Sequence, residues 1–309
     1  MGAVLRNITF TPETYKSFID LQDKLHQNIC RKRTLVAIGT HDLDTVKGPF
    51  EYAAPAPKDI CFVPLKQSQK MNGEQLMAFY ESDRKISKFL HIIRDSPVYP
   101  LVRVKADGTV LSLPPIINSE HSKITLDTKN VLIEMTATDL TKANIVLNTM
   151  CAMFASYCDF TIEQVEIVLP DGSKRVTPDM SNRTAEASVE YIQSCTGLKE
   201  VRGEEMAKLL TKMNLAATLT SSDTITVQVP PTRSDVMHQA DIMEDVAIAY
   251  GFNNLPMRFP KTVSVGKQLE VNKLSDKLRR EMAQCGWTEV MPLILVCLIL
   301  LELFISVSK

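Results

Sequence analysis

The chain has 309 residues, of which 45% are hydrophobic and 23% charged, with a formal net charge of -1. This is enough chain for two packed domains and part of a third, and the composition excludes an intrinsically disordered protein. Near-neutrality excludes a global basic field, so any RNA contact is local or supplied by a partner. Seven cysteines (Cys30, Cys61, Cys151, Cys158, Cys195, Cys285 and Cys297) stand without a CxxC pair, which reads as reduced thiols in a cytoplasmic protein.

Met1 to Phe10 lacks the charged-then-apolar pattern of a secretory signal, and AVLRNITF reads as a β-strand entered partway. Arg6 stands where a myristoylation signal requires Ser or Thr. Glu13 to Arg31 carries Phe18, Leu21, Leu25 and Ile29 at spacings of three and four. That periodicity predicts an amphipathic helix entered at Thr11-Pro12-Glu13. LVAIG (35–39) is a buried strand, and THDLD a polar turn after it. Residues 51–64, rich in Pro and Ala, read as irregular or edge structure, and Glu74 to Ile93 as a second helix. LVRVKADGTVLSLPPI and VEIVLPDGSKRVTP are hairpins with an Asp-Gly pair at each tip. Between them lie the strand VLIEMTATD and a buried helix from Lys142 to Tyr157.

Near Thr177 the character changes. The spacing predicts helices over 184–194 and 204–213, a strand over 225–230, and a helix from His238 to Tyr250 stopped at Gly251. A last amphipathic helix, 271–285, carries Leu274, Leu278 and Met282 on one stripe and stops at Gly286. Domain boundaries fall near residues 176 and 258. From Met291 to Val307 the chain is apolar apart from Glu302. This stretch is at the lower limit for a spanning helix, and a glutamate inside one is costly. It reads as a read-through or splice tail, with a membrane anchor the less favoured reading.

The main chemical constellation is PPTRSDVMHQADIMEDVAIAYG. Asp241, Glu244 and Asp245 share one helical face, with Asp235 near the helix entrance. Such a patch needs a cation or a basic partner, and an all-oxygen set suits Mg²⁺. From spacing alone the favoured reading is a solvated acidic helix face with Asp235 as N-cap. Arg31-Lys32-Arg33 reads as a basic helix end complementing the dipole, with RNA contact the less favoured reading, and Thr40-His41-Asp42 with Asp44 as a metal site or base dyad or, equally, as a polar turn. No Gly-rich phosphate loop is present.

P-P-T-R-x-D followed by D-I-x-E-D-x-A-I-A-Y-G resembles the B5 domain of archaeal and eukaryotic phenylalanine–tRNA synthetase β subunits. The resemblance extends upstream through NICRKRTLVAIGTHDLD and LSLPPIIN, similar to the B3/B4 editing domain, and downstream to Gly286-Trp287-Thr288-Glu289. It implies an α+β fold. A mixed α/β editing-like domain (1–176) precedes a small winged-helix-type B5-like domain (177–258) and the truncated start of a catalytic-like domain (259–290), with a non-family tail (291–309). The family's β subunit has a further module ahead of the part matching Ala3, so the resemblance implies truncation at both ends.

By the same resemblance, Asp235, Asp241, Glu244 and Asp245 match a Mg²⁺ site at the subunit interface. ATP and phenylalanine binding belong to an α-subunit partner, and tRNA(Phe) is the nucleic acid. The B3/B4 domain implies hydrolysis of Tyr-tRNA(Phe), with Ser112, Asn118, His121, Glu134 and Thr136 at matching positions. Glu134 and Thr136 would meet the tyrosyl hydroxyl or amine, and Asn118 or His121 a water and the terminal adenosine. The alternative is a catalytically silent isoform that binds RNA or a partner.

Overall fold

The structure is a computed structural model that describes every residue except Tyr157, Pro260, Lys261, 263–265 and 292–309. Residues Met1–Pro256 form one compact unit, and Met257 opens a second.

In chain order the first unit begins with β1 (Gly2–Arg6), α1 (Pro12–Gln27), β2 (Val36–Asp42), β3 (Phe50–Ala53), β4 (Cys61–Phe62) and β5 (Met71–Asn72). There follow α2 (Gly73–Tyr80), α3 (Ser87–Leu90), β6 (Leu101–Val104), β7 (Val110–Leu113), β8 (Ile117–Asn118), β9 (Val131–Ala137), α4 (Leu140–Ala155), β10 (Thr161–Val168) and β11 (Lys174–Thr177). An antiparallel five-stranded sheet runs β11-β10-β1-β9-β2. The α1 helix forms where expected. Thr11 accepts a hydrogen bond from the Thr14 amide, Thr14 reciprocates at the Thr11 amide, and Pro12 occupies the first turn.

α1 and α4 lie on one face of this sheet. Phe18 and Leu25 from α1 meet Val146, Met150 and Phe154 from α4 over Leu5, Ile38 and Ile133. The Phe18 and Phe154 rings meet edge-on at 4.5 Å. The other face packs on a second sheet, β3-β6-β7-β8, through Val4, Leu132, Val102, Val104 and Leu111. Alternation along β9 therefore sends Ile133 and Met135 to the helices and Leu132, Glu134 and Thr136 toward the second sheet.

β2 is an edge strand, and α1 covers its open side. Gln22 Nε2 donates to the Ile38 carbonyl at 2.8 Å, and the Ile38 amide donates to His26 Nε2 at 2.9 Å. These bonds satisfy backbone groups that would otherwise be left open on a sheet edge.

Three expectations needed revision. The strand predicted over 35–39 runs on through Thr40, His41 and Asp42, all buried. Gln22 on α1 partners Thr40, and Ser122 and Thr128 partner His41 and Asp42, bonds that let these polar side chains stay there. The helix predicted over 74–93 divides into α2 and α3, because Asp83 accepts from the Lys85 and Ile86 amides and starts a new turn. The predicted helix over 184–194 is β12 (Arg183–Ser188) followed by α5 (Val189–Thr196).

The unit is completed by α6 (Gly203–Lys212), β13 (Ala216–Leu219), β14 (Thr224–Val229) and α7 (Gln239–Tyr250), with a three-stranded sheet β12-β14-β13. Ile192, Met206, Leu210, Ile225, Val227 and Ile242 form its core. In the second unit, α8 (Glu270–Gln284) carries Leu274, Leu278 and Met282 exposed on its surface. Beyond Met291 the apolar tail lies outside the described residues. No helix among the described residues is long and apolar enough to cross a membrane.

Burial, with the nearby Arg33 charge, drives the His26 imidazole down from its usual 6.5 to about 3. His26 is therefore neutral in the folded chain, while the unfolded chain protonates it below about pH 6.5. Its contribution to stability is complete above that pH and is lost progressively as pH falls toward 3. Urea unfolding should show about 2 kcal/mol less stability at pH 5 than at pH 7 from this group, and His26→Gln should remove that portion of the pH dependence. An unchanged pH dependence in the variant would contradict the assignment.

Candidate functional site

A cleft of about 1030 Å³ opens beside the free edge of β2, lined by Gln22 and His26 of α1, by Ile38, Thr40 and Glu134, and by Pro115, Ile117 and Asn118. Its floor is set by the β2–β9 register, which pairs Gly39 with Glu134. A Cβ at position 39 would fall 2.1 Å from Glu134 Oε1, so the glycine leaves the space in which the carboxylate lies. Ser112, on β7 of the facing sheet, donates to Glu134 Oε1 at 2.7 Å. Asn118 Nδ2 donates to the Thr40 carbonyl at 3.2 Å and ties β8 to β2 across the cleft.

Glu134 is 9% exposed and its Oε2 has no hydrogen-bond partner. Such an atom loses its hydration unless something supplies a donor. Asn118 and Glu134 thus line the cleft, and buried Ser112 holds Glu134 from the facing sheet without lining it. Thr136 lies half-buried on the same face of β9 as Glu134, paired with Ala37, and is not among the cleft-lining residues. His121 does not line the cleft either. It is exposed, with its Nε2 at 3.2 Å from the Thr45 carbonyl.

Two contributors escaped the sequence reading. His41, read as part of either a polar turn or a metal or base dyad with Asp42 and Asp44, is fully buried on β2, with Nε2 3.9 Å from Glu134 Oε1. Arg33, assigned to a basic helix end, turns into the cleft. Its Nη1 donates to the Pro115 and Ile116 carbonyls at 3.1 and 3.2 Å, and its guanidinium lies 4.3 Å from the Phe89 ring centroid. Arg31, Lys32 and Arg33 all have positive φ (47°, 54° and 68°), a conformation costing roughly 1–2 kcal/mol per residue. The bonds made by Arg33 offset that strain and join the end of α1 to the turn after β7. The cleft is also lined by Lys66, Lys85, Lys88 and Lys123, and by Asp20, Asp23 and Asp83.

The acidic residues before and along α7 are arranged around an arginine. Arg233 Nη2 donates to Asp235 Oδ2 at 2.8 Å and to Asp245 Oδ2 at 2.7 Å, and its Nη1 to the Met213 carbonyl at 2.9 Å. The guanidinium holds the Asp235 carboxyl below its usual range, and the two carboxylates push Arg233 upward. Asp241 Oδ2 accepts from the Met237 and His238 amides, both at 2.8 Å, bonds that hold its carboxyl below the ordinary value. Glu244 is exposed. The helix cap expected at Asp235 is His238, whose side chain accepts from the Ala240 amide while Asp241 bonds back to the His238 amide.

As placed, these four carboxylates do not fit Mg²⁺. Arg233 already supplies the positive charge between Asp235 and Asp245, and Asp241 faces its own helix end. No group of three or more His, Cys, Asp or Glu among the described residues is positioned to hold a metal ion.

Comparison with known proteins agrees with this architecture. The B3/4 domain family matches residues 1–159, and the tRNA synthetase B5 domain family residues 185–252. Phenylalanine–tRNA ligase β subunits from Drosophila melanogaster and Homo sapiens are 53% and 48% identical over 293 and 294 residues, covering 94% of this chain in each case. The crystal structure of an N-terminal fragment of the phenylalanyl-tRNA synthetase β-subunit from Pyrococcus horikoshii superposes with a TM-score of 0.74 at 34% identity, covering 81% of this chain and 70% of that one. A B3/4 module followed by a B5 module defines a tRNA synthetase subunit. The chain belongs to the phenylalanine–tRNA ligase β-subunit family. It spans about half the length of the curated relatives it matches, 49% and 50% for the fly and human proteins.

Asp245 has a side chain only 7% exposed and depends on Arg233 for charge compensation. Arg233→Gln should therefore cost about 3 kcal/mol, the low end for breaking a buried ion pair. Asp235→Asn, at a side chain 64% exposed, should cost less than about 1 kcal/mol. Urea unfolding of the two variants checks the contrast; equal small losses would contradict it.

Proposed function

We propose that this chain provides the editing module of a phenylalanine–tRNA ligase, hydrolysing Tyr-tRNA(Phe) in its B3/4 cleft. The observation that carries the reading is Glu134, which lines a cleft large enough for an aminoacyl-adenosine, is held from behind by buried Ser112, and has a buried carboxylate oxygen with no protein partner. An apolar phenylalanine pocket rejects an added hydroxyl by only about 10². A second site that hydrogen-bonds this hydroxyl can discriminate in the opposite sense by about 10⁴ or more. Glu134 and Ser112 suit that recognition, with Thr136 farther along the same strand face. The alternative position is at the substrate amine, which a carboxylate also accepts. Water adds to the ester carbonyl, the bond from that carbon to the ribose oxygen breaks, and the ribose leaves as a free hydroxyl. Asn118 is the cleft residue suited to placing the water or the terminal adenosine; His121 would serve only the chain flanking it. Arg33 and the lysines on the cleft lining suit the phosphates of the RNA end.

Within the same proposal, residues 1–176 are the editing domain, 177–258 the B5 domain and 259–290 the start of a catalytic-like domain. The chain works in the cytoplasm, with an α subunit that binds ATP and phenylalanine and charges tRNA(Phe). Mg²⁺ at Asp235, Asp241, Glu244 and Asp245 would require Arg233 to release Asp235 and Asp245, with donors added by the partner. The names of the relatives support the enzymatic reading over a silent RNA- or partner-binding isoform.

Purified chain incubated with Tyr-tRNA(Phe) should release tyrosine above the uncatalysed rate, and Glu134→Ala should slow that release by tenfold or more, roughly the loss of one charge-assisted hydrogen bond. Background release by the chain, unaffected by Glu134→Ala, would defeat the reading.

A further inference from the structure

We propose that His41 is a positioning residue for Glu134, fixing which carboxylate oxygen is left to meet a ligand. The inference rests on the cleft reading above for its functional consequence, but its structural part stands by itself. His41 lies two residues beyond Gly39 on β2, so the two share a face, and that face carries Glu134 from the neighbouring β9. The imidazole is fully buried. Its Nδ1 is 2.8 Å from Ser122 Oγ, itself fully buried, while its Nε2 has no hydrogen-bond partner and is 3.9 Å from Glu134 Oε1.

A neutral imidazole has one donor nitrogen and one acceptor. If the Ser122 hydroxyl donates to Nδ1, the ring proton sits on Nε2 and faces the carboxylate. The reverse tautomer would turn a lone pair toward a negative charge in a dry environment, which electrostatics disfavours. Ser112 and His41 then both address Oε1, one by a hydrogen bond and the other by an N–H dipole held at longer range. Oε2 is left without a protein partner. This division of the carboxylate has a consequence for recognition. With its first oxygen claimed from two sides, the group cannot rotate to satisfy itself internally, so the second oxygen, itself buried, gains a donor only from a ligand that reaches it past the cleft lining. The Tyr52 phenol and the Met1 ammonium also feel the Glu134 charge, but neither hydrogen-bonds it.

Histidine ring ¹⁵N shifts of the full chain decide the structural part. The expected spectrum shows the Nε2–H tautomer for His41 and a displaced Nε2 signal in Glu134→Gln. An Nδ1–H tautomer, or an Nε2 signal that Glu134→Gln leaves in place, overturns the proposal even if the chain hydrolyses nothing. The functional part is read in deacylation of Tyr-tRNA(Phe). His41→Leu removes the N–H and should raise KM by about tenfold, with kcat changed less, because the lost group orients a binding contact. Ser122→Ala, which keeps the ring but frees its tautomer, should shift KM in the same direction by a smaller factor. His41→Gln, which can again present an N–H, should recover most of the wild-type KM. A His41→Leu chain that keeps the wild-type KM, or a loss in kcat alone that His41→Gln does not rescue, overturns the role. Absence of activity in the wild-type chain, with the expected ¹⁵N spectrum, defeats the editing reading and leaves the His41–Glu134 coupling standing.

Discussion

Everything in the cleft depends on the pairing of Gly39 with Glu134 across the β2–β9 ladder. Side chains of a strand alternate between faces, so a shift of one residue would send Glu134 into the apolar layer beneath α1 and α4 and bring Ile133 or Met135 to the cleft. The register is held from both faces. Ile133 and Met135 are buried against Phe18, Val146 and Phe154, and Leu132 against Val102 and Leu111. A carboxylate is then tolerated at one position only, where a glycine opposite leaves room and a serine on the facing sheet supplies a hydrogen bond. The hydrophobic core thus determines where the polar site is, and the site owes its orientation to packing that makes no contact with a ligand.

The same economy of charge appears in the B5 module. Asp245 is nearly buried on α7, and Arg233 reaches it from the segment after β14 while also holding Asp235 and the Met213 carbonyl. A single guanidinium therefore links α7, the Pro-Pro turn and the end of α6. Arginine suits this task because its planar fork can satisfy several acceptors at once, which a lysine ammonium does with less directional control. The arrangement stabilises the acidic face from within the chain, so Asp235, Asp241 and Asp245 have a structural use independent of any ion.

The helical boundaries were legible because their signals are local. Thr11-Pro12 marks the start of α1, and Gly251 ends α7. The Asp-Gly pairs at 107–108 and 171–172 sit at the tips of hairpins whose glycines adopt positive φ. Family resemblance supplied the domain order, and it brought Ser112, Asn118 and Glu134 into consideration. What local reading missed was set by partners far along the chain. β12 has the composition of a helix, Ala and Glu included, but its pairing with β14 decides otherwise. His41 and Asp42 look like a turn until Ser122 and Thr128, some eighty residues later, provide their hydrogen bonds. Arg233 stood within a quoted motif without being singled out, since nothing in the spacing of the acids reveals that the cation between two of them is part of the chain.

The central claim is that the unclaimed oxygen of Glu134 reads a donor on an aminoacyl-adenosine. The most direct measurement is a crystal structure of the chain with 3′-(L-tyrosylamino)-3′-deoxyadenosine, in which an amide replaces the labile ester. The ligand should lie in the cleft beside β2, with its phenol or amine within hydrogen-bond distance of Glu134 and with Ser112 still bonded to Oε1. Ligand bound elsewhere on the chain, or in the cleft with no donor facing Glu134, would contradict it.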